Sequence, residues 1–117
     1  GYAFRVAGGV LFAPGQNVLS DQGKRTLTEL AAQLGNRKIR IEGHTDDQPI
    51  ARSQWRSNLH LSMERAMTVA EFLTGSAGLR QDHVSCAGYS QYRPAVEGVD
   101  DAARAKNRRV EILMLDT

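Results

Sequence analysis

The 117-residue sequence has one cysteine, few aromatic residues, almost no excess charge and no long hydrophobic run. The single cysteine, Cys86, cannot form an intrachain disulfide, which excludes a disulfide-stapled miniprotein; we expect a small apolar residue on a strand. No apolar segment approaches the roughly 20 residues that span a bilayer, and no leader pattern precedes Tyr2. Because the chain begins with Gly1, we expect a domain excised from a longer protein, with any export signal or membrane anchor outside it.

The charge balance does not favour a nucleic-acid partner. Lysine and arginine number 15 against 13 aspartate and glutamate residues, a net charge of +2. Aromatic residues are 6% of the chain, and Trp55, Tyr89 and Tyr92 do not form the stacking platform of a single-strand binder. We therefore expect no contact with nucleic acid.

The composition is that of one folded domain. Hydrophobic residues make up 41% and charged residues 24% of the chain. A chain of this size buries roughly 65% of the surface that it exposes when unfolded, enough for one core. We predict a single domain over residues 1–117.

The hydrophobic pattern alternates between strands and helices. Ser20 and Ser62 are predicted helix N-caps, and the first helix ends at Gly35. The second helix is predicted to bury a stripe of Met63, Ala66, Met67, Ala70 and Leu73. The predicted order is extended chain at 3–13 with a bend at Gly8 and Gly9, helix 21–34, strand 38–42, loop 43–61, helix 63–74, strand 84–87, loop 88–98, a short helix at 100–106 and a last strand from 108.

These elements predict an α/β fold. The fold class is a small two-layer sandwich in which a mixed sheet of about four strands carries two main helices on one face. The long loop at 43–61 contains Trp55, Leu59 and Leu61, so we expect it to pack against the domain.

A charged pair marks one edge of this sheet. Asp46 follows the strand at 38–42, and Arg65 lies in the first turn predicted for the next helix. The carboxyl end of a strand and the amino end of the following helix share one edge, where ligands usually bind. Asp46 and Arg65 are therefore either the two halves of a site for a zwitterion or a structural salt bridge that holds the loop to the helix.

Further polar residues lie near the same edge. The Asn58 amide either contacts a ligand or holds the loop. Of the adjacent Arg108 and Arg109, at most one reaches the ligand edge, because neighbouring residues on a strand face opposite ways.

The sequence gives little support to a metal centre or an enzyme. His44, Asp46 and Asp47 are ordinary ligand types, but no paired histidine or cysteine motif accompanies them, so we predict no metal and no cofactor. No nucleophile and base occur in a recognisable context, so we predict no catalytic residue. The alternatives are a hydrolase with His44 as base, and an interaction domain in which this loop only stabilises the fold.

Four segments together resemble the OmpA-like peptidoglycan-binding family. They are "IEGHTDD", "NLHLSMERAMTVAEFL", "CAGYSQYRP" and "NRRVEI", in order from about Phe12 to Ile112. The resemblance implies the fold of the OmpA C-terminal domain and a periplasmic module that binds peptidoglycan without catalysis. A peptidoglycan-processing hydrolase on a similar scaffold is the alternative. The parent protein would be anchored in the inner or outer membrane, and a homodimer is compatible with this reading.

The resemblance also implies roles for individual residues. In the family, the residues that match Asp46 and Arg65 hold the zwitterionic end of diaminopimelate in the peptide stem, and Thr45, Asn58 and Arg108 match other positions at the same pocket. One departure is Ala13, where many members have an aspartate. The long loop with "DDQPI" and a tryptophan resembles the flagellar stator branch of the MotB type; anchors of type VI secretion and outer-membrane lipoproteins are the alternatives.

Overall fold

The structure is a computed structural model that describes residues 2–50 and 54–115. Its four-stranded sheet has the order β1-β4-β2-β3, in which β2 and β3 are parallel and the other pairs are antiparallel. This confirms the predicted mixed sheet, although β4 separates β1 from β2. The strands are β1 (Ala3–Ala7), β2 (Lys38–His44), β3 (Val84–Gly88) and β4 (Arg109–Leu115).

In the described part of the chain, two long α-helices, two short ones and a 3-10 helix at Gln81–His83 complete the fold. The long helices are α2 (Asp21–Leu34) and α3 (Asn58–Gly75), and the short ones are α1 (Gly8–Leu11) and α4 (Asp101–Asn107). As predicted, Ser20 caps α2, its hydroxyl accepting from Gly23 N at 2.9 Å. The bend predicted at Gly8 and Gly9 is the one-turn helix α1. Among the described residues, none of the helices combines the length and apolar character needed to cross a membrane.

The core lies between the helices and one face of the sheet. Alternate residues of the central strands, such as Ile41 and Ile112, are fully buried there. Helix α2 contributes Leu27, Ala31 and Leu34 to this layer, and α3 contributes Ala66, Val69 and Leu73. The predicted two-layer sandwich is confirmed.

The start of α3 differs from the prediction. Ser57 is its N-cap, accepting from His60 N at 3.0 Å, so the helix begins about one turn before the predicted cap Ser62. Ser62 is fully buried inside the helix, where its hydroxyl donates to Leu59 O. Arg65 is therefore the eighth residue of α3 rather than part of its first turn, and the helix amino end is not its neighbour.

The buried stripe of α3 also differs from the prediction. Met67 is 41% exposed, and Met63 and Ala70 are only partly buried. Three of the five predicted stripe residues are therefore not among the buried residues of the helix. The longer helix buries another face of its first half. The buried residues are Asn58, Leu61, Ser62, Arg65, Ala66, Val69 and Leu73.

Two glycines bring α3 close to the sheet. Gly43 and Gly88 are partners in the parallel pair β2–β3. A Cβ atom on Gly43 would lie 2.9 Å from the carbonyl carbon of Ser62, and one on Gly88 would lie 2.6 Å from Ser62 Oγ. Because a glycine has no side chain, the second turn of α3 rests directly on these two strands at Ser62 and Met63.

Candidate functional site

Asp46 lies in the loop that follows β2 and is 7% exposed. Its Oδ1 accepts a hydrogen bond from Gln48 N at 3.0 Å, and its Oδ2 accepts from Arg108 Nη1 at 2.6 Å. Arg108, the C-cap of α4, keeps 43% of its side chain exposed. The carboxylate is thus fixed by the backbone on one side and by a solvent-accessible guanidinium on the other.

Arg65 is 6% exposed and rests on the turn before α2. Its Nε donates to Gln16 O at 2.8 Å and its Nη2 to Ala13 O at 3.4 Å, while the guanidinium carbon lies 4.8 Å from the centre of the Phe12 ring. Carbonyl oxygens and an aromatic face hold this cation, and they carry no full negative charge to neutralise it.

The three charged side chains influence one another. Burial, together with the positive charge of Arg108, lowers the pKa of Arg65 to about 10, although the Asp46 carboxylate opposes both effects. Arg65 therefore stays protonated at neutral pH. Arg65, Arg108 and Asp46 thus present both signs of charge at this edge, which suits a ligand that carries an ammonium and a carboxylate.

The structural salt bridge considered from the sequence does not form between Asp46 and Arg65. Within residues 2–50 and 54–115, the ion-pair partner of Asp46 is Arg108. As predicted, only one of the adjacent arginines serves this edge, because Arg109 turns away and donates to Glu111 Oε2 at 2.5 Å.

Thr45 and Asn58 hold the loop around Asp46. Thr45 N donates to Ser90 O at 2.9 Å, and its hydroxyl donates to the Asp46 carbonyl at 3.0 Å. The Asn58 amide donates to Gln48 O at 3.0 Å and to Gln91 Oε1 at 3.2 Å. The sequence left two roles open for Asn58, and the structure gives it the loop-holding contacts.

The loop after β3 also reaches this edge, which the sequence analysis missed. A cavity of about 200 Å³ lies beside Asp46, and Gln91 and Glu97 contribute to its wall. Asp47 also lines it and accepts from Arg104 Nε at 2.8 Å, a hydrogen bond that lowers the pKa of Asp47. Since β2 and β3 are parallel, their carboxyl ends share an edge, and this rule could have identified the second loop.

His44 belongs to a different cluster. It is 3% exposed and lies with Glu42 and Glu111 on the sheet face away from the helices, where ligand-type atoms of the three residues are within 4.8 Å of one another. Arg40 and Arg109 already pair with the two carboxylates, so we interpret this cluster as an ion-pair network. The metal ligands considered from the sequence, His44 with Asp46 and Asp47, are not the group that forms.

The environment of His44 does not suit a catalytic base. Burial lowers the pKa of His44, the Arg109 charge lowers it further, and the two glutamates oppose these effects. Its ring stacks on Tyr89 with the ring centres 5.3 Å apart. A side chain this enclosed has no access to a wall polymer, which counts against the hydrolase hypothesis.

Comparisons with known proteins give a consistent result. A model of the OmpA family matches residues 11–108. Motility protein B of Bacillus subtilis is 36% identical over 118 residues, covering 92% of this chain and 45% of that protein. The peptidoglycan-associated lipoprotein of Legionella pneumophila is 40% identical over 76 residues, covering 65% of this chain and 40% of that protein. The chain thus spans less than half of both relatives.

A solved structure extends the likeness to three dimensions. The cell wall anchor of the type VI secretion system from Pseudomonas aeruginosa has a TM-score of 0.87 and 31% identity, with 94% of this chain and 78% of that chain covered. The similarity to Motility protein B agrees with the stator-type resemblance of the long loop. The family model covers most of the chain, and the chain belongs to the OmpA family.

Proposed function

We propose that this chain binds peptidoglycan without catalysis and recognises the zwitterionic end of diaminopimelate in the peptide stem. The observation that carries the proposal is the placement of two buried, opposite charges, Asp46 and Arg65, at one edge of the sheet. Protein contacts hold each of them in place before a ligand arrives. A preorganised pair costs less conformational entropy on binding than two mobile side chains.

Each half of the ligand has a matching group. Diaminopimelate ends in an ammonium and a carboxylate on one carbon. The ammonium donates to the Asp46 carboxylate, and the carboxylate accepts from the N–H groups of Arg65 that do not face Gln16 and Ala13. Lysine in place of diaminopimelate keeps the ammonium and lacks the carboxylate, so lysine-type stems should bind weakly.

Arg108 is proposed as the third ligand-binding charge. It already contacts Asp46, and its exposed side chain can turn toward a ligand carboxylate while the ammonium takes its place. Thr45 and Asn58 complete the proposed site by holding the loop and offering polar atoms at its rim.

The biological role follows from the relatives. One relative is named as a peptidoglycan-associated lipoprotein and one solved structure as a cell wall anchor. We propose that residues 1–117 are one OmpA-like domain of a longer, membrane-anchored envelope protein, and that the domain acts in the periplasm by attaching that protein to the wall. The likeness to Motility protein B favours a flagellar stator over a secretion or lipoprotein anchor.

Calorimetric titration with a soluble diaminopimelate-containing stem peptide tests the proposal. We expect saturable binding to the wild type and a loss of at least about tenfold in Asp46→Ala and in Arg65→Ala, because each removes one charged contact to the ligand. Arg104→Ala is the matched control, since Arg104 pairs with the neighbouring Asp47 and lies outside the proposed clamp.

The control and the melting temperature separate binding from folding. Each variant is compared only if its thermal unfolding shows a folded protein at the titration temperature. Unchanged affinity in either clamp variant, or no binding to the wild type, would refute the proposed function.

A further inference from the structure

The turn at residues 13–16 supports both the arginine of the proposed clamp and the long loop after β2. Arg65 donates to the carbonyls of Ala13 and Gln16. Between them, the carbonyl of Gly15 accepts a hydrogen bond from Trp55 Nε1 at 2.7 Å. Two side chains from distant parts of the sequence thus bind the same short piece of backbone.

Trp55 is well placed to hold this turn. Trp55 is 7% exposed, and its ring makes a T-shaped contact with the His60 ring, with the ring centres 5.3 Å apart. Trp55 lies just before Ser57, the N-cap of α3, so the position of its backbone is tied to the start of the helix that carries Arg65. An indole is rigid and brings one directional donor, which suits it to fix a carbonyl.

The same loop carries Asp46 near its beginning and Trp55 near its end. Asp46 accepts the ligand ammonium in the proposed function, and Trp55 binds the turn on which the Arg65 guanidinium rests. The loop therefore contacts both halves of the clamp, one through a carboxylate and the other through the turn.

We infer that Trp55 is a positioning residue that sets the orientation of the Arg65 guanidinium, and that it thereby controls recognition of the ligand carboxylate. This inference rests on the proposed function. A guanidinium holds a carboxylate through two parallel hydrogen bonds only when its plane is correctly oriented, and a rotated group loses one of them. Loss of the Trp55 hydrogen bond should affect the carboxylate half of the ligand and leave the ammonium half unchanged.

The test compares two ligands on three proteins. The ligands are stem peptides with diaminopimelate or with lysine at the third position. Only the diaminopimelate peptide carries the side-chain carboxylate that Arg65 is proposed to bind. The proteins are the wild type, Trp55→Phe and Thr74→Val, and binding is followed by chemical-shift titration, which measures weak and tight complexes alike. Thr74→Val is the matched control because it also removes one side-chain donor to backbone carbonyls near the far end of α3, to Ala70 O at 2.9 Å and to Glu71 O at 3.4 Å.

We expect Trp55→Phe to reduce the preference for the diaminopimelate peptide over the lysine peptide by about three- to tenfold. This is the change in affinity that corresponds to the net free energy of one hydrogen bond. The affinity of Trp55→Phe for the lysine peptide should match the wild type. Thr74→Val should leave both affinities unchanged. An equal weakening of both peptides, or an unchanged preference, would overturn the inference.

Two further results keep the test decisive. If Trp55→Phe does not fold, biosynthetic replacement of tryptophan by benzothienylalanine exchanges the indole N–H for sulfur at the same shape, and Trp55 is the only tryptophan in the chain. The same change in preference is then expected. If the wild type binds neither peptide, the proposed function itself is refuted, whereas a wild type that prefers diaminopimelate isolates the outcome for Trp55.

Discussion

Replacing Gly43 by alanine should destabilise the domain, because a side chain at this position would meet the backbone of α3. The new Cβ would lie 2.9 Å from the carbonyl carbon and 3.2 Å from the Cα of Ser62, and still closer to the carbonyl oxygen. Unstrained carbon atoms approach to about 3.5–4.0 Å, so α3 and β2 must separate by about 1 Å. All three atoms belong to backbone, so no side-chain rotation can relieve the clash.

The size of the effect follows from two opposing contributions. Overpacking a well-packed contact costs about 1–3 kcal/mol, and a contact between two backbones belongs at the upper end. The lower conformational entropy of unfolded alanine returns about 0.5–1 kcal/mol. We therefore expect Gly43→Ala to lower the free energy of unfolding by about 2 kcal/mol, which for a domain of this size lowers Tm by roughly 8 °C.

Urea denaturation at constant pH measures this free energy directly, with Gly75→Ala as the control. Gly75 is the last residue of α3, and a Cβ there would meet nothing within 4 Å, so its replacement should be neutral or slightly stabilising. A free energy of unfolding for Gly43→Ala within about 0.5 kcal/mol of the wild type would contradict the close contact between helix and strand.

Three further predictions concern stability. Ser57→Ala should lower the free energy of unfolding by about 1 kcal/mol, because it removes a helix cap. Ser62→Ala should lower it by about 1–3 kcal/mol, because the buried Ser90 N–H loses its acceptor. A smaller loss for Ser62→Ala than for Ser57→Ala in urea denaturation would count against these roles. The folded pKa of His44 lies below its unfolded value of 6.5, so the unfolded state binds more protons, and stability should fall as the pH drops below about 6.5 toward the folded pKa. Urea denaturation from pH 7.5 to 5 measures how the free energy of unfolding changes with pH. This change should be smaller in His44→Gln than in the wild type, and an equal change would refute the assignment. Arg104→Ala should lower the free energy of unfolding by less than about 1 kcal/mol, because Arg104 pairs with Asp47 at an exposed position, and a larger loss in the same assay would show that the pair supports the site.

Local patterns in the sequence predict most of the secondary structure. Helix α2 has a cap at Ser20 and a glycine after its last residue, and the first half of β4 alternates, with Val110 and Ile112 on the core side. The start of α3 could not be read in this way because Ser57 and Ser62 are both acceptable caps before helix-forming residues. The burial of Leu61 favours the earlier start, and burial depends on the sheet below it.

The sequence also predicts only part of the candidate site. The sequence indicates Asp46 and Arg65 because a strand end and the following helix share an edge, and the family motifs point to the same residues. It does not indicate that Arg108 pairs with Asp46, nor that the turn at 13–16 carries Arg65 and Trp55. These hydrogen bonds join residues 40 to 62 positions apart, so no local spacing encodes them.

The sequence alone therefore determined the fold class and the family and singled out Asp46 and Arg65 as candidate site residues, because periodicity, capping residues and short motifs are local properties of the chain. The tertiary structure decided which partner each charge takes. It also placed His44 in a buried network with Glu42 and Glu111 rather than at the site, and it gave the long loop its contact through Trp55. Those choices depend on strand pairing and packing between segments that are remote in sequence, which no local pattern encodes.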